Sequence, residues 1–572
     1  MQTQPSPREF PRTFVAAEAD FGRWSVAENY YRELSERPVA SQDQLERWLR
    51  DWSELDACFD EEGTGRYIAM TCQTDDAQRQ ERFRQFIEEV KPHREPWHDR
   101  LRRRLAELAG RFELPAKRYE VLLRSVRNAI ELYRDENVAL QTEDELLQAD
   151  YQKITGAMTV QYDGREQTIA QIGRYLEEPD RAAREATWRL AGERYLADGA
   201  ALTELYRKMV GLRDRIATNA HCRDFREYQF KHYERFDYTP DDCLAFHDAI
   251  ERVVVPAARQ LSEQRRKKLG LAALRPWDLS VDPDNLPPLR PFDSEQQLID
   301  NCGSIFRRVH VELGKVFDAL RDASSLDLGN RKGKAPGGYQ ATYHERRLPF
   351  IFMNAVGTDD DVRTLLHEGG HAFHTWACRS EPLLAYRHAP IEFSEVASMG
   401  MECLALPYMH VFYSDDDRRR ATRQFFEKIV RFFPFMARID AFQHHVYTHI
   451  GEGPEEWSGH WQQLTRRFGG DVDWSGLERF DRLSWQRKLH LYEVPFYYVE
   501  YGIAQLGALQ VWLNSRRDFE QAVSFYRNGL ALGGSRPVPE LFAAAGCRFD
   551  FSEKTLRPLI EAVMQELERL GP

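Results

Sequence analysis

Apolar residues recur at three- and four-residue spacing through most of the chain, the period of helices that bury one face. Phe83–Val90, Tyr119–Tyr133 and Ala182–Tyr195 are examples, and the Glu, Arg, Ala, Leu and Gln around them favour helix. Strand signals are confined to two places. The segment 158–168 predicts a hairpin turning at Asp163-Gly164, and Leu348–Asn354 predicts a strand just before a helical stretch. A Pro-rich run from Arg275 to Pro291 predicts a long surface loop. The expectation is a mainly α protein with a small β element. Residues 1–190 form an N-terminal helical lobe carrying the hairpin, and residues 191–572 a second, larger domain. The break at Glu178-Pro179-Asp180 supports a helix end near that boundary.

Charge narrows the partners. Among 572 residues, 79 Lys+Arg face 91 Asp+Glu, a formal net charge of −12. A broadly acidic surface repels phosphate backbones, so nucleic acid is not an expected partner. Arg100, Arg102, Arg103 and Arg104 alternate with Leu101, Leu105 and Leu108, which reads as the solvated side of an amphipathic helix. The start, MQTQPSPREF, has neither a basic nor an apolar signal region, and no run of about 18 apolar residues occurs, so no membrane association is expected. The eight cysteines are scattered and none forms a CxxC pair. Reduced thiols and a cytoplasmic location are the expectation.

Chemistry concentrates at His367-Glu368-Gly369-Gly370-His371. On a helix, residues four apart share a face, so His367 and His371 can reach one metal ion. Imidazole nitrogens suit zinc, and Glu368 beside them can take a proton from an attacking water. Thr358 and Asp361 offer a capping-box start, and Val362, Leu365, Leu366, Phe373 and Trp376 an apolar face. Gly369 and Gly370 run against this, each costing about 1 kcal/mol relative to Ala inside a helix; close approach of another backbone or of a substrate is the expected reason. His374 lies three residues after His371, and either touches the site's surroundings or packs in the core. The third ligand fixes the class. His374 and Ala377 stand where a metzincin needs Gly and His, which excludes that class. A helix over Ile391–Leu406, opened by Pro390, offers Glu392, Glu395 and Glu402. Glu395 and Glu402 are separated by about 10.5 Å along the axis and do not easily share one ion. Spacing alone leaves Glu392 nearly as good a ligand as Glu395, with Glu402 a partner for a ligand histidine.

The segments HEGGHAFH (367–374) and EFSEVASMGMECLA (392–405) resemble the M3 family of zinc oligopeptidases, in its oligoendopeptidase F and Pz-peptidase branch. Glu395 occupies the place of that family's metal-binding glutamate. Lys334–Tyr339 and Phe350–Asn354 look like its glycine loop and substrate-side strand, and the stretch from His490 to Gly502 like its His/Tyr segment. The resemblance implies an elongated, two-lobed helical fold split by a deep central channel, with zinc at its floor. It implies cleavage of internal bonds in short peptides. By the same resemblance His490 faces substrate, while Tyr498 and Tyr501 serve the oxyanion and the peptide backbone, Tyr501 being favoured for the oxyanion. The competing reading of Tyr497, Tyr498 and Tyr501 is an aromatic stripe packed in the core. Phe350–Asn354 either accepts substrate as an added strand or is an ordinary internal strand. The expected function is zinc-dependent endopeptidase, with His367, His371 and Glu395 as ligands and Glu368 as base. The rivals are an exo-acting zinc carboxypeptidase or dipeptidyl carboxypeptidase, and a non-catalytic helical peptide-binding protein with structural zinc.

Overall fold

The computed structural model describes residues 9–571. Helices dominate, as the apolar period predicts. Tyr119–Tyr133 falls on the Ala116–Leu132 helix and Ala182–Tyr195 on Arg181–Ala197. Phe83–Val90 begins at the end of the Ala77–Gln85 helix and finishes as a π turn, Phe86–Val90, which buries Phe86 and Val90. The arginine run lies on Arg94–Arg111, whose Leu101, Leu105 and Leu108 are buried. Arg100 stacks on Trp97, and Arg104 donates to the carbonyls of Ser35 and Arg37. Among the described residues no helix is long and apolar enough to cross a membrane.

The chain divides into two compact units, each assembled from separated stretches. The first takes the chain up to Glu131, Leu289–Thr422 and Ala504–Phe549. The second takes Leu132–Pro288, Arg423–Ile503 and the chain from Asp550 on. The boundary expected near residue 190 therefore falls inside the second unit.

The hairpin forms where expected. Strands β1 (Thr159–Tyr162) and β2 (Arg165–Thr168) pair antiparallel, with Val160 opposite Gln167. Asp163 and Gly164 both have positive φ, 54° and 67°, the backbone that a two-residue primed turn requires.

A three-stranded sheet belongs to the first unit. It contains β3 (Leu326–Gly329), β4 (Tyr339–Tyr343) and β5 (Leu348–Ala355) in the order β3-β5-β4. The predicted strand Leu348–Asn354 is thus the central one. It pairs parallel with β3 and antiparallel with β4, so it has no edge to offer a substrate. That corrects the strand-addition reading: the edge beside the site belongs to β4. The loop before β4 is fixed from within. Lys334 is buried, and its Nζ donates to the carbonyls of Asp327 (2.9 Å), Gly329 (2.9 Å) and Met353 and to Asp327 Oδ1 (2.8 Å). Asn354 Nδ2 donates to the carbonyls of Ala335 and Gly337, both at 2.8 Å.

Candidate metal centre

Two helices of the first unit build the centre. The Asp359–Ala377 helix starts at the predicted capping box: Asp361 N donates to Thr358 Oγ1 (3.3 Å), and Thr358 N donates to Asp361 Oδ2 (2.8 Å). The second helix, Ile391–Ala405, begins after Pro390 as predicted. The glycine pair explains how closely the two pack. A Cβ on Gly370 would lie 2.4 Å from the carbonyl oxygen of Ala397 and 2.6 Å from Ser398 Cα. Only glycine lets the second helix's backbone come this near. Gly369 has a different reason, since its Cβ would meet the Phe306 ring at 2.6 Å.

That approach delivers Glu395 to the histidines. Ligand atoms of His367, His371 and Glu395 all lie within 4.8 Å of one another. His367 Nε2 is 3.3 Å from Glu395 Oε2, and His371 Nε2 is 3.8 Å from Glu395 Oε1. Glu392, the alternative that spacing left open, is buried on the same helix but is not in this group. Glu402 Oε1 sits 2.9 Å from His367 Nδ1, which leaves Nε2 free to face Glu395. Ser398, three residues after Glu395, donates to Glu395 Oε2 at 2.9 Å and holds the carboxylate's rotamer. Its place one helical turn on is a signal the sequence reading missed. His374 packs in the core against Phe393 (ring centroids 6.1 Å apart) and takes no part in the cluster.

The electrostatics suit a cation. Burial works against a proton on His367, but Glu395 and Glu402 outweigh it and raise its pKa well above the ordinary histidine value. Burial also works against the charge on Glu395, yet His367, His371 and Ser398 bring it down to about 2. Two imidazoles and a carboxylate, with a further carboxylate behind one ring, are a zinc-type donor set with room for a fourth ligand. Glu368 is buried and is not one of that group of three. Burial, reinforced by the charge on Glu395, pushes it up to about 7, against the pull of His367 and the main-chain N–H of Gln340. Gln340 belongs to β4, so that strand's edge lies at Glu368; nothing in the sequence pointed to it. Thr342 Oγ1, 3.2 Å from Thr375 Oγ1, ties the strand to the metal-site helix.

The His/Tyr segment lies in the second unit, apart from the metal group in the chain's division. It gathers as a cluster: ring centroids are 4.4 Å apart for His490 and Tyr498, 5.9 Å for Tyr498 and Tyr501, and 5.2 Å for Tyr497 and Tyr501. All four side chains are half-buried, whereas Tyr492, Phe496 and Val499 fill the core. The turn that presents them holds Phe496 at φ 67°. It is secured by Phe496 N donating to Gln443 Oε1 (2.6 Å) and by the buried Arg235–Glu500 ion pair (2.7 Å).

Comparison with known proteins gives the family and the fold. Residues 174–559 match the description "Peptidase family M3", and residues 22–133 "Peptidase M3 N-terminal domain". The chain belongs to peptidase family M3. Oligopeptidase PepF of Bacillus subtilis is 25% identical over 252 residues, 43% of this chain and 37% of that protein. An oligoendopeptidase F homologue of Mycoplasma pneumoniae is 24% identical over 418 residues, 68% of this chain and 66% of its own. The chain thus spans about a third of PepF's length in that match. The solved structure of PZ peptidase A with an inhibitor superposes with a TM-score of 0.86 at 25% identity, over 97% of this chain and 99% of its own. Oligoendopeptidase F from Enterococcus faecium shares the fold at 13% identity, with a TM-score of 0.64 over 96% and 97% of the two chains. The M3 chain is therefore of the oligoendopeptidase F and Pz-peptidase branch, with the mainly helical fold of its neighbours.

Proposed function

We propose that this M3 chain is a zinc-dependent endopeptidase that hydrolyses internal bonds of short peptides. The observation that carries the reading is the convergence of His367, His371 and Glu395 beside Glu368, a buried carboxylate outside their group. Zinc, when bound, supplies Lewis acidity to a water and to the scissile carbonyl. His367 and His371 would hold it through neutral imidazoles, and Glu395 through its carboxylate. Glu402 fixes the His367 ring by accepting a hydrogen bond from its Nδ1–H. Glu368 accepts a proton from the attacking water and passes it to the leaving amine nitrogen. By the family resemblance Tyr501, with His490 and Tyr498, is the candidate donor to the carbonyl oxygen as charge builds there. The edge of β4 binds substrate main chain, which makes sequence preference loose.

A purely structural zinc has no use for a base, so Glu368 also separates this reading from a peptide-binding one. Glu368→Gln is expected to keep the metal and the fold while kcat falls by about a hundred- to ten-thousand-fold. Near wild-type turnover in that variant would sink the assignment. Peptides acetylated at one end and amidated at the other remain substrates for an endopeptidase; their resistance would favour the exo-acting alternative.

A further inference from the structure

The second unit carries a cluster that the proposed reaction does not use. The Pro240–Lys268 helix brings Cys243 and His247 to one face, four residues apart, and the Asp415–Thr448 helix does the same with Asp440 and His444. Relative exposure is 0% for Cys243, His247 and Asp440 and 4% for His444. Ligand-type atoms of Cys243, Asp440 and His444 lie within 4.8 Å of one another. His247 Nε2 and His444 Nε2 stand 2.9 and 3.2 Å from the same oxygen, Asp440 Oδ2. Such separations approach the edge of about 3.3 Å of a tetrahedron with zinc–nitrogen bonds of about 2.0 Å.

Hydrogen bonding accounts for only part of the cluster: His247 Nε2 and Asp440 Oδ2 are hydrogen-bonded at 2.9 Å. Asp440 Oδ1, His444 Nε2 and His247 Nδ1 are buried without a hydrogen-bond partner. His444 Nε2 is close to the carboxylate but not aligned for a bond with it. A buried acid with unmet polar atoms on three of its cluster's groups marks a missing partner. The walls exclude water: Phe496 and Phe230 set their edges against the His444 ring, with centroids 5.3 and 6.1 Å away.

We propose that Cys243, His247, Asp440 and His444 hold a structural divalent metal of the zinc class. A thiolate and a carboxylate together balance the charge of such an ion, and two imidazoles complete a tetrahedral set once the His247 ring, which lies outside the group of three, turns toward the ion. Four protein ligands leave no open position, so this ion has no catalytic part. Binding releases the Cys243 thiol proton. Arg226 Nη1 faces His444 Nδ1 at 3.3 Å. Coordination through Nε2 places the imidazole proton on Nδ1 and turns Arg226 toward Asp224, whose Oδ2 is 4.0 Å from Nη2. Enclosed in this way, the ion enters as the chain folds.

The test counts metals in the full-length protein and asks whether one is bound by sulfur. Elemental analysis of protein made in zinc-supplemented medium is expected to give two ions per chain, and one per chain in His371→Ala. Cobalt-loaded wild type and His371→Ala are both expected to show a thiolate-to-cobalt charge-transfer band, which the sulfur-free His367/His371/Glu395 site cannot produce. No other described cysteine lies in a group of three metal-binding side chains. Cys243→Ser is expected to lose the band and one ion. If that variant does not fold, wild type and His371→Ala decide by themselves. A folded His371→Ala protein with no bound metal, or cobalt-loaded wild type without the band, would overturn the proposal.

Discussion

The two clusters are built by one device and differ in what they leave over. Each places side chains four apart on a helix and meets them with side chains from a second helix. In the first unit the His367 and His371 side chains keep 25% and 19% of their exposure, and only three ligand groups converge. Glu368 stands beside them as a spare buried carboxylate. In the second unit every member is sealed. The same spacing thus serves the proposed reactive centre, which is open, and the proposed structural one, which is closed. Exposure and the unspent carboxylate tell them apart, because catalysis needs a free coordination position and a base, whereas a structural ion needs neither.

The tyrosines of the second unit extend the comparison. Tyr501 is half-exposed beside Tyr498, whereas Tyr492 is fully buried, with its hydroxyl 3.3 Å from the Leu202 carbonyl. If exposure marks reactive groups, Tyr501→Phe lowers kcat by about 10²- to 10³-fold, the worth of one oxyanion donor, with little change in stability. Tyr492→Phe reverses this, leaving kcat alone and lowering the denaturation midpoint. Equal kinetic effects of the two variants would erase the distinction.

Removing an orienting group costs less than removing a donor to the developing charge. Glu402→Ala leaves His367 Nδ1 without its carboxylate, so metal affinity is expected to fall by about ten- to a hundredfold. Competition with a chromophoric chelator measures it, and unchanged affinity would mean that the 2.9 Å contact does not orient the ring. Acidity gives a milder readout. Glu368 must be ionised to act as base, and burial pushes its pKa up to about 7. The logarithm of kcat/KM therefore falls with unit slope as pH drops below an acid limb. A bound cation draws that limb downward, so it is expected below about 7. A limb above 7 would assign the base to another group.

Much of this was legible because it is local. The capping box at Thr358 and Asp361, the Asp163-Gly164 turn and the His367/His371 face each rest on residues within one or two helical turns. What was not legible depends on partners far along the chain. Spacing could not choose between Glu392 and Glu395, because the angle at which two helices cross decides which one faces the histidines. The central place of β5 was hidden because its neighbour β4, Tyr339–Tyr343, reads as mixed aromatic and polar residues without a clean alternation. The interleaved units were hidden because their contacts join stretches hundreds of residues apart.

Gly370 and Gly369 show that same distant dependence at the scale of one methyl group. Alanine is the better helix former at both positions by about 1 kcal/mol. At Gly370 the added Cβ meets main-chain atoms, Ala397 O at 2.4 Å and Ser398 Cα at 2.6 Å, which can yield only if the whole Ile391–Ala405 helix shifts. Overpacking of this kind costs about 1–3 kcal/mol, so after the gain in helix propensity Gly370→Ala is expected to be net destabilising by up to about 2 kcal/mol. The shift also carries Glu395 away from the histidines, so metal affinity falls with stability. At Gly369 the obstacle is the Phe306 ring, a side chain that can rotate or slide. Gly369→Ala is therefore expected to come out close to neutral, with metal binding intact. Urea denaturation and metal titration of the two variants separate the cases. If both lose stability equally and both keep their metal, the close approach of the two backbones does not position Glu395.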